Sequence, residues 1–139
     1  MPGCKEQVSS RNYTSQKLIL LVEDDAINAA CIAQIISQET PYYVFQTSDS
    51  VRALEVMKHL KPDLFLFDYR LHNMNGIQLY DLLHANKELE NIPAIILSAC
   101  LEDCQDAIEQ RKLISIEKPF NLDEFLLILD EVLSRSRQQ

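Results

Sequence analysis

Acidic, hydroxyl and amine side chains follow a series of short apolar runs in this sequence. Glu23 and Asp24 come directly after the first run, Asp68 after the third, Ser98 after the fourth and Lys118 close after the last. Carboxylates are ligands for hard cations such as Mg²⁺. A lysine ammonium and a serine hydroxyl can both donate hydrogen bonds to a phosphoryl group. These residue types in this order therefore favour phosphoryl chemistry assisted by a metal ion.

The three carboxylates would place three negative charges close together. Two unit charges ~4 Å apart repel by about 1 kcal/mol in water and about 4 kcal/mol near a protein surface. Such a cluster must take up protons or bind a cation, and oxygen ligands without a histidine in sequence reach favour Mg²⁺. An aspartate in this setting can attack phosphorus and form an aspartyl phosphate. The metal, the lysine and the hydroxyl would then stabilise charge on the phosphoryl oxygens.

Each signal has a simpler structural interpretation when it is taken alone. Adjacent acids after a strand commonly cap the following helix, and Ser98 could be a turn hydroxyl. Lys118 and Pro119 could simply end a strand. The joint occurrence of these residues, each at the end of an apolar run, is what favours a site over these alternatives.

The elements that must position these residues follow from the apolar periodicity. Short apolar runs separated by helix-period segments are typical of buried parallel strands in a βα repeat. We predict strands near 18–22, 42–46, 63–67, 93–97 and 114–117, and helices near 26–38, 50–60, 77–87, 102–112 and 121–135. In an open parallel sheet the ligand site lies at the carboxyl ends of the strands. The predicted α/β fold therefore gathers the candidate residues at one edge.

Local signals differ in strength along the chain. The last helix is the clearest, with Asn121 as its predicted N-cap. The fourth helix has only a thin apolar stripe of Cys104, Ala107 and Ile108, which suits either a solvated helix or a surface that shifts or binds a partner. Gly76, one of two glycines, precedes the third helix, and we predict a positive φ there.

Composition limits the function classes. The 139 residues suit one domain, and we predict it at 17–135 between a flexible tail at 1–16 and a short tail at 136–139. A net charge of -8 argues against a nucleic-acid partner. We find no apolar run long enough to span a membrane and no signal peptide, so we expect a cytoplasmic protein with free thiols at Cys4, Cys31, Cys100 and Cys104.

The sequence resembles the receiver domain of two-component response regulators over about 17–135. The motifs that carry the resemblance are Leu20-Leu21-Val22-Glu23-Asp24-Asp25, Phe67-Asp68-Tyr69-Arg70 with Met74-Asn75-Gly76, Ser98-Ala99 and Lys118-Pro119-Phe120. The resemblance implies a flavodoxin-like, doubly wound five-stranded parallel sheet in the order 2-1-3-4-5 with five helices. It also implies that Asp68 is the phosphoacceptor. Asp24 would be a direct Mg²⁺ ligand, Glu23 would act mostly through water, and the backbone carbonyl of Arg70 would complete the protein ligands.

By the same resemblance, Ser98 and Lys118 would bind the phosphoryl oxygens. In the family, a histidine kinase or a histidine phosphotransfer protein supplies the phosphoryl group, and the domain catalyses its own modification only. The sequence departs from the family pattern at two positions. Ser115 stands where an aromatic residue usually swings inward, and His72 stands where proline is common. We interpret His72 as a solvated loop histidine.

We therefore expect a stand-alone receiver of a bacterial cytoplasm that signals by contact with a downstream protein that the sequence does not name. By family analogy the contact surface would lie near the fourth helix, the fifth strand and the fifth helix. Phosphorylation-dependent homodimerisation there stays open. The two departures also leave open a degenerate receiver that acts as a non-switching scaffold. A Mg²⁺-dependent haloacid-dehalogenase-type phosphatase ranks last, because it needs an aspartate where this chain has Arg70.

Overall fold

The computed structural model describes residues 16–137 and contains five strands, five α-helices and one short 3-10 turn. In chain order the elements are β1 (Leu18–Val22), α1 (Ala26–Glu39), β2 (Tyr43–Thr47), α2 (Ser50–Val56), β3 (Leu64–Asp68), α3 (Gly76–His84), β4 (Ala94–Ser98), the 3-10 turn (Leu101–Asp103), α4 (Gln105–Arg111), β5 (Ile114–Glu117) and α5 (Leu122–Arg137). Cys4, most of the predicted N-terminal tail and the last two residues of the predicted C-terminal tail lie outside the described residues.

The five strands form one parallel sheet in the order β2-β1-β3-β4-β5. The predicted fold class is therefore confirmed. The register pairs Val22 with both Thr47 and Phe67, and it pairs Ser98 with Glu117. Since the strand ends are aligned in this way, the residues that follow β1, β3, β4 and β5 meet at one edge.

Alternate residues of the central strands pack into two separate apolar layers. Leu20, Phe65 and Ile96 face a layer formed with α2, α3 and α4. Leu21 and Leu66 face the opposite layer, which is formed with α1 and α5. All five are fully buried. Burial on both faces explains why the strands are continuous apolar runs rather than alternating ones.

Helix α5 is anchored as the sequence predicts. The Asn121 side chain accepts a hydrogen bond from the Glu124 backbone N–H at 3.0 Å, which confirms the predicted N-cap. Its buried face consists of Phe125, Leu129, Val132 and Leu133. In α4 the only buried residue is Ile108. The two helices therefore differ strongly in how much apolar surface holds them to the sheet.

Three helix ends differ from the predicted ones by a few residues, which is about the precision of the prediction. Helix α2 ends at Val56 rather than near 60, and α3 ends at His84 rather than near 87. Helix α4 begins at Gln105 rather than near 102, because the 3-10 turn precedes it and Cys104 has the non-helical dihedrals φ -134° and ψ 8°. Each difference lies at an end of a helix, where local hydrogen bonds replace the regular pattern.

The prediction of a positive φ at Gly76 is wrong, since no glycine among the described residues has one. Gly76 is instead the first residue of α3, and its backbone N–H donates to the Tyr69 carbonyl at 2.8 Å. A Cβ atom at this position would lie 2.6 Å from the carbonyl oxygen of Asp68. Glycine is needed here because the helix starts against the backbone of β3.

Residues 16–137 contain three of the four cysteines. Cys31, Cys100 and Cys104 are free thiols. Among the helices of this part of the chain, none combines the length and the apolar character that a membrane crossing requires.

Candidate functional site

Three carboxylates meet at the carboxyl ends of β1 and β3. Glu23 and Asp24 follow β1, and Asp68 is the last residue of β3. One carboxylate oxygen from each of the three lies within 4.8 Å of the others, and within the described residues this is the one such group of potential metal ligands. Glu23 is 1% exposed and Asp68 is 6% exposed. The sheet thus brings together the acids that the sequence predicted as metal ligands.

The third consecutive acid, Asp25, has a different role from its two neighbours. Its side chain accepts hydrogen bonds from the backbone N–H groups of Ile27 and Asn28 at 2.9 and 3.0 Å, which makes it the N-cap of α1. Its own backbone N–H donates to Glu23 Oε2 at 3.1 Å. Because Asp25 satisfies the helix terminus, Glu23 and Asp24 need not cap it and are left for the site.

Lys118 brings a positive charge to the carboxylates from β5. Its Nζ lies 2.5 Å from Asp68 Oδ1 and 3.4 Å from Glu23 Oε1. Its backbone N–H donates to the Ser98 carbonyl at 2.9 Å, and the following peptide bond to Pro119 is cis. The backbone pairing of β5 with the end of β4 therefore holds the amine over the two buried acids.

One lysine does not offset the cost of burying two carboxylates. Burial raises the pKa of Glu23, although the Asp25 backbone N–H and Lys118 oppose the shift. Burial also raises the pKa of Asp68 against the opposing hydrogen bond from Lys118. Burial acts to lower the pKa of Lys118, but Asp68 and Glu23 outweigh it and the net shift is upward. The site therefore favours an additional positive charge, either protons or a metal cation.

Ser98 lies at the same edge, but its hydroxyl is engaged by the loop that follows β4. The side chain is buried, and Oγ donates to the Cys100 carbonyl at 3.0 Å. The same oxygen accepts a hydrogen bond from the Cys100 backbone N–H at 3.1 Å. To donate to a phosphoryl group, this hydroxyl must break its bond to Cys100.

The loop after β3 closes one side of the site. The backbone N–H of Arg70 faces the Asp68 carboxylate and acts to lower its pKa, against the larger effect of burial. The Arg70 guanidinium extends the other way and donates to Asp103 Oδ2 at 2.7 Å, which connects this loop to the 3-10 turn. Both side chains of that ion pair are largely exposed, so its contribution to the free energy of unfolding is small. The predicted metal-ligand role of the Arg70 carbonyl stays a prediction.

His72 is the residue that sequence reasoning placed wrongly in relation to the acids. The choice of Mg²⁺ assumed that no histidine lay within reach, yet His72 Nε2 is 3.7 Å from Asp24 Oδ2. The only sequence signal was the short separation from Asp68 within one loop. Ser115, the other departure, is half-buried in β5 and pairs with Ile96.

Comparison with known proteins gives a family match over most of the chain. Residues 19–130 match the model of a family described as the response regulator receiver domain. The matched region contains every residue of the candidate site.

Curated relatives show moderate identity. The chain is 29% identical over 107 residues to sporulation initiation phosphotransferase F of Bacillus subtilis, covering 76% of this chain and 85% of that protein. It is 27% identical over 112 residues to the polar-differentiation response regulator DivK of Brucella anthropi, covering 79% and 90%. Against the hybrid signal transduction histidine kinase D of Dictyostelium discoideum it is 27% identical over 124 residues, which cover 85% of this chain but only 8% of that protein.

Solved structures share the fold. A CheY-like response regulator receiver domain protein from Methanospirillum hungatei aligns with a TM-score of 0.79 at 27% identity, covering 89% of this chain and 98% of that one. The receiver domain of a sensor histidine kinase from Pseudomonas aeruginosa, solved with magnesium coordinated in its active site cleft, aligns with a TM-score of 0.78 at 24% identity, covering 86% and 99%. The second likeness establishes the fold alone.

Proposed function

Because the chain belongs to the response regulator receiver domain family, and is thus a receiver domain of a two-component system, we propose that it accepts a phosphoryl group on Asp68 in a Mg²⁺-dependent reaction. Receiver domains are signalling phosphoacceptors rather than conventional enzymes. The observation that carries the proposal is the meeting of three carboxylates and one lysine at the carboxyl edge of the sheet.

The donor set fits Mg²⁺. The three carboxylates, whose oxygens lie within 4.8 Å of one another, are hard oxygen ligands. Burial raises the pKa of two of them, Glu23 and Asp68, so additional positive charge beside them would favour their ionised forms. We assign Glu23, Asp24, Asp68 and the carbonyl of Arg70 to hold the ion, with Glu23 acting mostly through water. When bound, Mg²⁺ supplies positive charge that balances the acids and the oxygens of a transferring phosphoryl group.

In the proposed transfer, an Asp68 carboxylate oxygen forms a bond to phosphorus. The bond from phosphorus to the donor breaks, and the electron pair leaves with the donor: with nitrogen for a phosphohistidine, with oxygen for acetyl phosphate. The attacking carboxylate must be ionised. Lys118 favours that ionised state by its contact with Asp68 Oδ1, against the effect of burial. After transfer, Lys118 binds a phosphoryl oxygen instead.

Ser98 connects the proposed phosphorylation to the rest of the molecule. Its hydroxyl proton must turn from the Cys100 carbonyl to a phosphoryl oxygen, and the loop after β4 then loses the hydrogen bond that this carbonyl accepts. That loop leads through the 3-10 turn into α4, which has little buried apolar surface. We therefore propose that the β4–α4 connection responds to phosphorylation, without the aromatic residue that Ser115 replaces.

We assign the receiver domain to residues 17–135 and expect a histidine kinase or a histidine phosphotransfer protein as donor. The names of the relatives, a phosphotransferase and a response regulator, support this assignment. We further propose a cytoplasmic protein whose output is contact with a downstream protein. Homodimerisation on phosphorylation is a second form that this output can take.

The test is the intact mass after incubation with acetyl phosphate, with and without Mg²⁺. We expect the mass of one phosphoryl group to be gained with Mg²⁺ and lost on addition of a chelator. Asp68→Asn should abolish the gain. The matched control is Asp63→Asn at the other end of β3, because its amide oxygen can still accept the Leu18 N–H. Equal uptake by Asp68→Asn would contradict the proposal. Absence of uptake from both acetyl phosphate and a phosphorylated phosphotransfer protein would favour a scaffold.

A further inference from the structure

The C-terminal end of α4 is joined to α3 by a bidentate ion pair. Arg111 Nε and Nη2 donate to the two carboxylate oxygens of Asp81, each at 2.8 Å. The remaining nitrogen, Nη1, donates to the Ala107 carbonyl of the same helix at 2.9 Å. Two parallel hydrogen bonds to one carboxylate fix the orientation of the groups as well as their distance. The guanidinium therefore connects the last turn of α4 to α3 in one defined geometry.

Other contacts stabilise the same end of the helix. Ile108, the buried residue of α4, lies one turn before Arg111. The helix ends at Lys112, which has the left-handed dihedrals φ 55° and ψ 40°. The next backbone N–H, that of Leu113, donates to the Ile108 carbonyl at 3.0 Å and so satisfies a carbonyl of the last turn. Burial, a C-terminal cap and the bidentate ion pair thus all act on the last turn of α4.

The N-terminal end of α4 has weaker contacts. Cys104 is buried where α4 begins, but its side chain makes no cap hydrogen bond, and the 3-10 turn before it has no buried residue. The ion pair that joins this turn to the β3–α3 loop, Arg70 with Asp103, is a single contact between side chains that are 74% and 43% exposed. The side chains of Arg111 and Asp81 are 28% and 47% exposed. A solvated single contact contributes little to stability, whereas bidentate geometry contributes more.

The proposed phosphorylation acts on this weaker end. The Ser98 hydroxyl donates to the carbonyl of Cys100, which is the residue directly before the 3-10 turn. When the hydroxyl proton turns to a phosphoryl oxygen, that carbonyl loses its donor. Arg111 lies at the opposite end of α4, on α3 rather than on the loop after β4. The change therefore begins where α4 is held least.

We propose that the ion pair between Asp81 and Arg111 is the pivot of α4, the fixed point about which the helix moves. On phosphorylation of Asp68, the 3-10 turn and the first turn of α4 change position, while the last turn stays attached to α3. The inference rests on the proposed function, because the movement of the Ser98 hydroxyl starts the change. Phosphorylation then tilts α4 and does not release it from the fold.

The test is hydrogen–deuterium exchange of the full chain, measured on peptides before and after incubation with acetyl phosphate and Mg²⁺. In wild type we expect phosphorylation to speed amide exchange about tenfold or more in peptide 100–104 and less than about twofold in peptide 109–113. In Arg111→Gln and in Asp81→Ala, phosphorylation should speed exchange in both peptides. The matched control, Arg52→Gln, removes the same charge from an exposed position of α2 and should behave as wild type. Unchanged exchange in the strands shows that each variant is folded.

Two results would overturn the inference. Equal acceleration of both peptides in phosphorylated wild type would show that α4 is released as a whole. Retained protection of peptide 109–113 in both phosphorylated variants would show that another contact holds that end. The intact mass of the same samples separates this inference from the proposed function, which fails if no phosphoryl group is gained. The unphosphorylated protein then decides the pivot: Arg111→Gln should speed exchange in peptide 109–113 and leave peptide 100–104 within about twofold of wild type, and equal changes in both would contradict it.

Discussion

Strand β3 has an aspartate at each end, and the two have opposite relations to their surroundings. Asp63, just before the strand, is half-buried, and its Oδ2 accepts the backbone N–H of Leu18 at 2.8 Å. Asp68, the last residue of the strand, is 6% exposed, and burial raises its pKa although Lys118 contacts it. The first carboxylate connects two strands. The second, Asp68, is buried although burial disfavours its ionised form, and it is available for chemistry.

The same contrast holds for the whole sheet. The middle of each central strand is fully buried and apolar, whereas the carboxyl ends carry buried acids and a lysine. Burial of the apolar strand interiors therefore raises the free energy of unfolding. Burial of Glu23 and Asp68 at the carboxyl edge lowers it, because one lysine does not balance their charges. Residues two positions apart on one strand can therefore have opposite effects on the free energy of unfolding.

The largest expected effect is in the strand interior. Leu66→Ala removes a fully buried side chain between β1 and β4 and should lower the free energy of unfolding by about 2–5 kcal/mol. Asp68→Asn, two residues further on, should not destabilise the metal-free protein, because it removes an unfavourably buried charge. Urea unfolding measures both. Leu82→Ala is the control, since that leucine is 52% exposed and should cost far less. Equal losses of unfolding free energy for Leu66→Ala and Asp68→Asn would contradict the difference between the strand interior and the carboxyl edge.

Mg²⁺ should reduce the charge imbalance at the carboxyl edge. At a Mg²⁺ concentration 100 times the dissociation constant, the free energy of unfolding should rise by about 2.7 kcal/mol. Thermal unfolding with and without the ion measures this. Asp24→Asn should lose most of the increase, and Asp63→Asn should keep it. An equal increase in Asp24→Asn would place the ion elsewhere.

Gly76→Ala should affect both the stability of the fold and the reactivity of Asp68 at the carboxyl edge. Its Cβ would lie 2.6 Å from the Asp68 carbonyl oxygen, so either α3 or the end of β3 must move. We expect a loss of about 1–3 kcal/mol in the free energy of unfolding and slower phosphoryl uptake at Asp68. Lys87→Ala, at an exposed position after α3, should change the stability by less than about 0.5 kcal/mol. Unchanged stability and uptake in Gly76→Ala would show that the close approach is not required.

The smallest expected effect is the pH dependence of the metal-free protein. The pKa of Glu23 and of Asp68 is raised on folding, so the folded state binds their protons more tightly than the unfolded state does. Their contribution is complete below the ordinary carboxyl range near pH 4 and is lost as pH rises through the raised values. Lys118, whose pKa is raised from 10.5, changes only at alkaline pH.

As pH rises from about 4 to 7, wild type should therefore lose unfolding free energy relative to Asp68→Asn, because the buried carboxylate becomes charged. Urea titrations of both proteins across this range without metal provide the measurement. Parallel curves for the two proteins would contradict the burial cost assigned to Asp68.

The sequence predicted the features that depend on local pattern. Five apolar runs gave the strands, and the rule for parallel sheets placed Glu23, Asp24, Asp68 and Lys118 at one edge, where the structure brings them together. The Asn121 cap follows from its position before an apolar stripe. The roles of these site residues in phosphoryl transfer stay predictions.

The features that the sequence did not reveal depend on contacts across the fold. Gly76 is required by the carbonyl of Asp68, which only the packing of α3 against β3 brings close. The start of α4 depends on the backbone dihedrals at Cys104. The approach of His72 to Asp24 joins loops from two different strands, and the bond between Ser98 and Cys100 depends on the path of the chain after β4.

Site-resolved mass spectrometry of the acetyl-phosphate-treated protein tests the central claim most directly. Borohydride reduces an aspartyl phosphate to homoserine, which marks the modified residue in a peptide digest. We predict homoserine at residue 68, dependent on Mg²⁺, and unmodified aspartate at residue 63 on the other end of the same strand. Homoserine at Asp24 or Asp63 with Asp68 unmodified would contradict it.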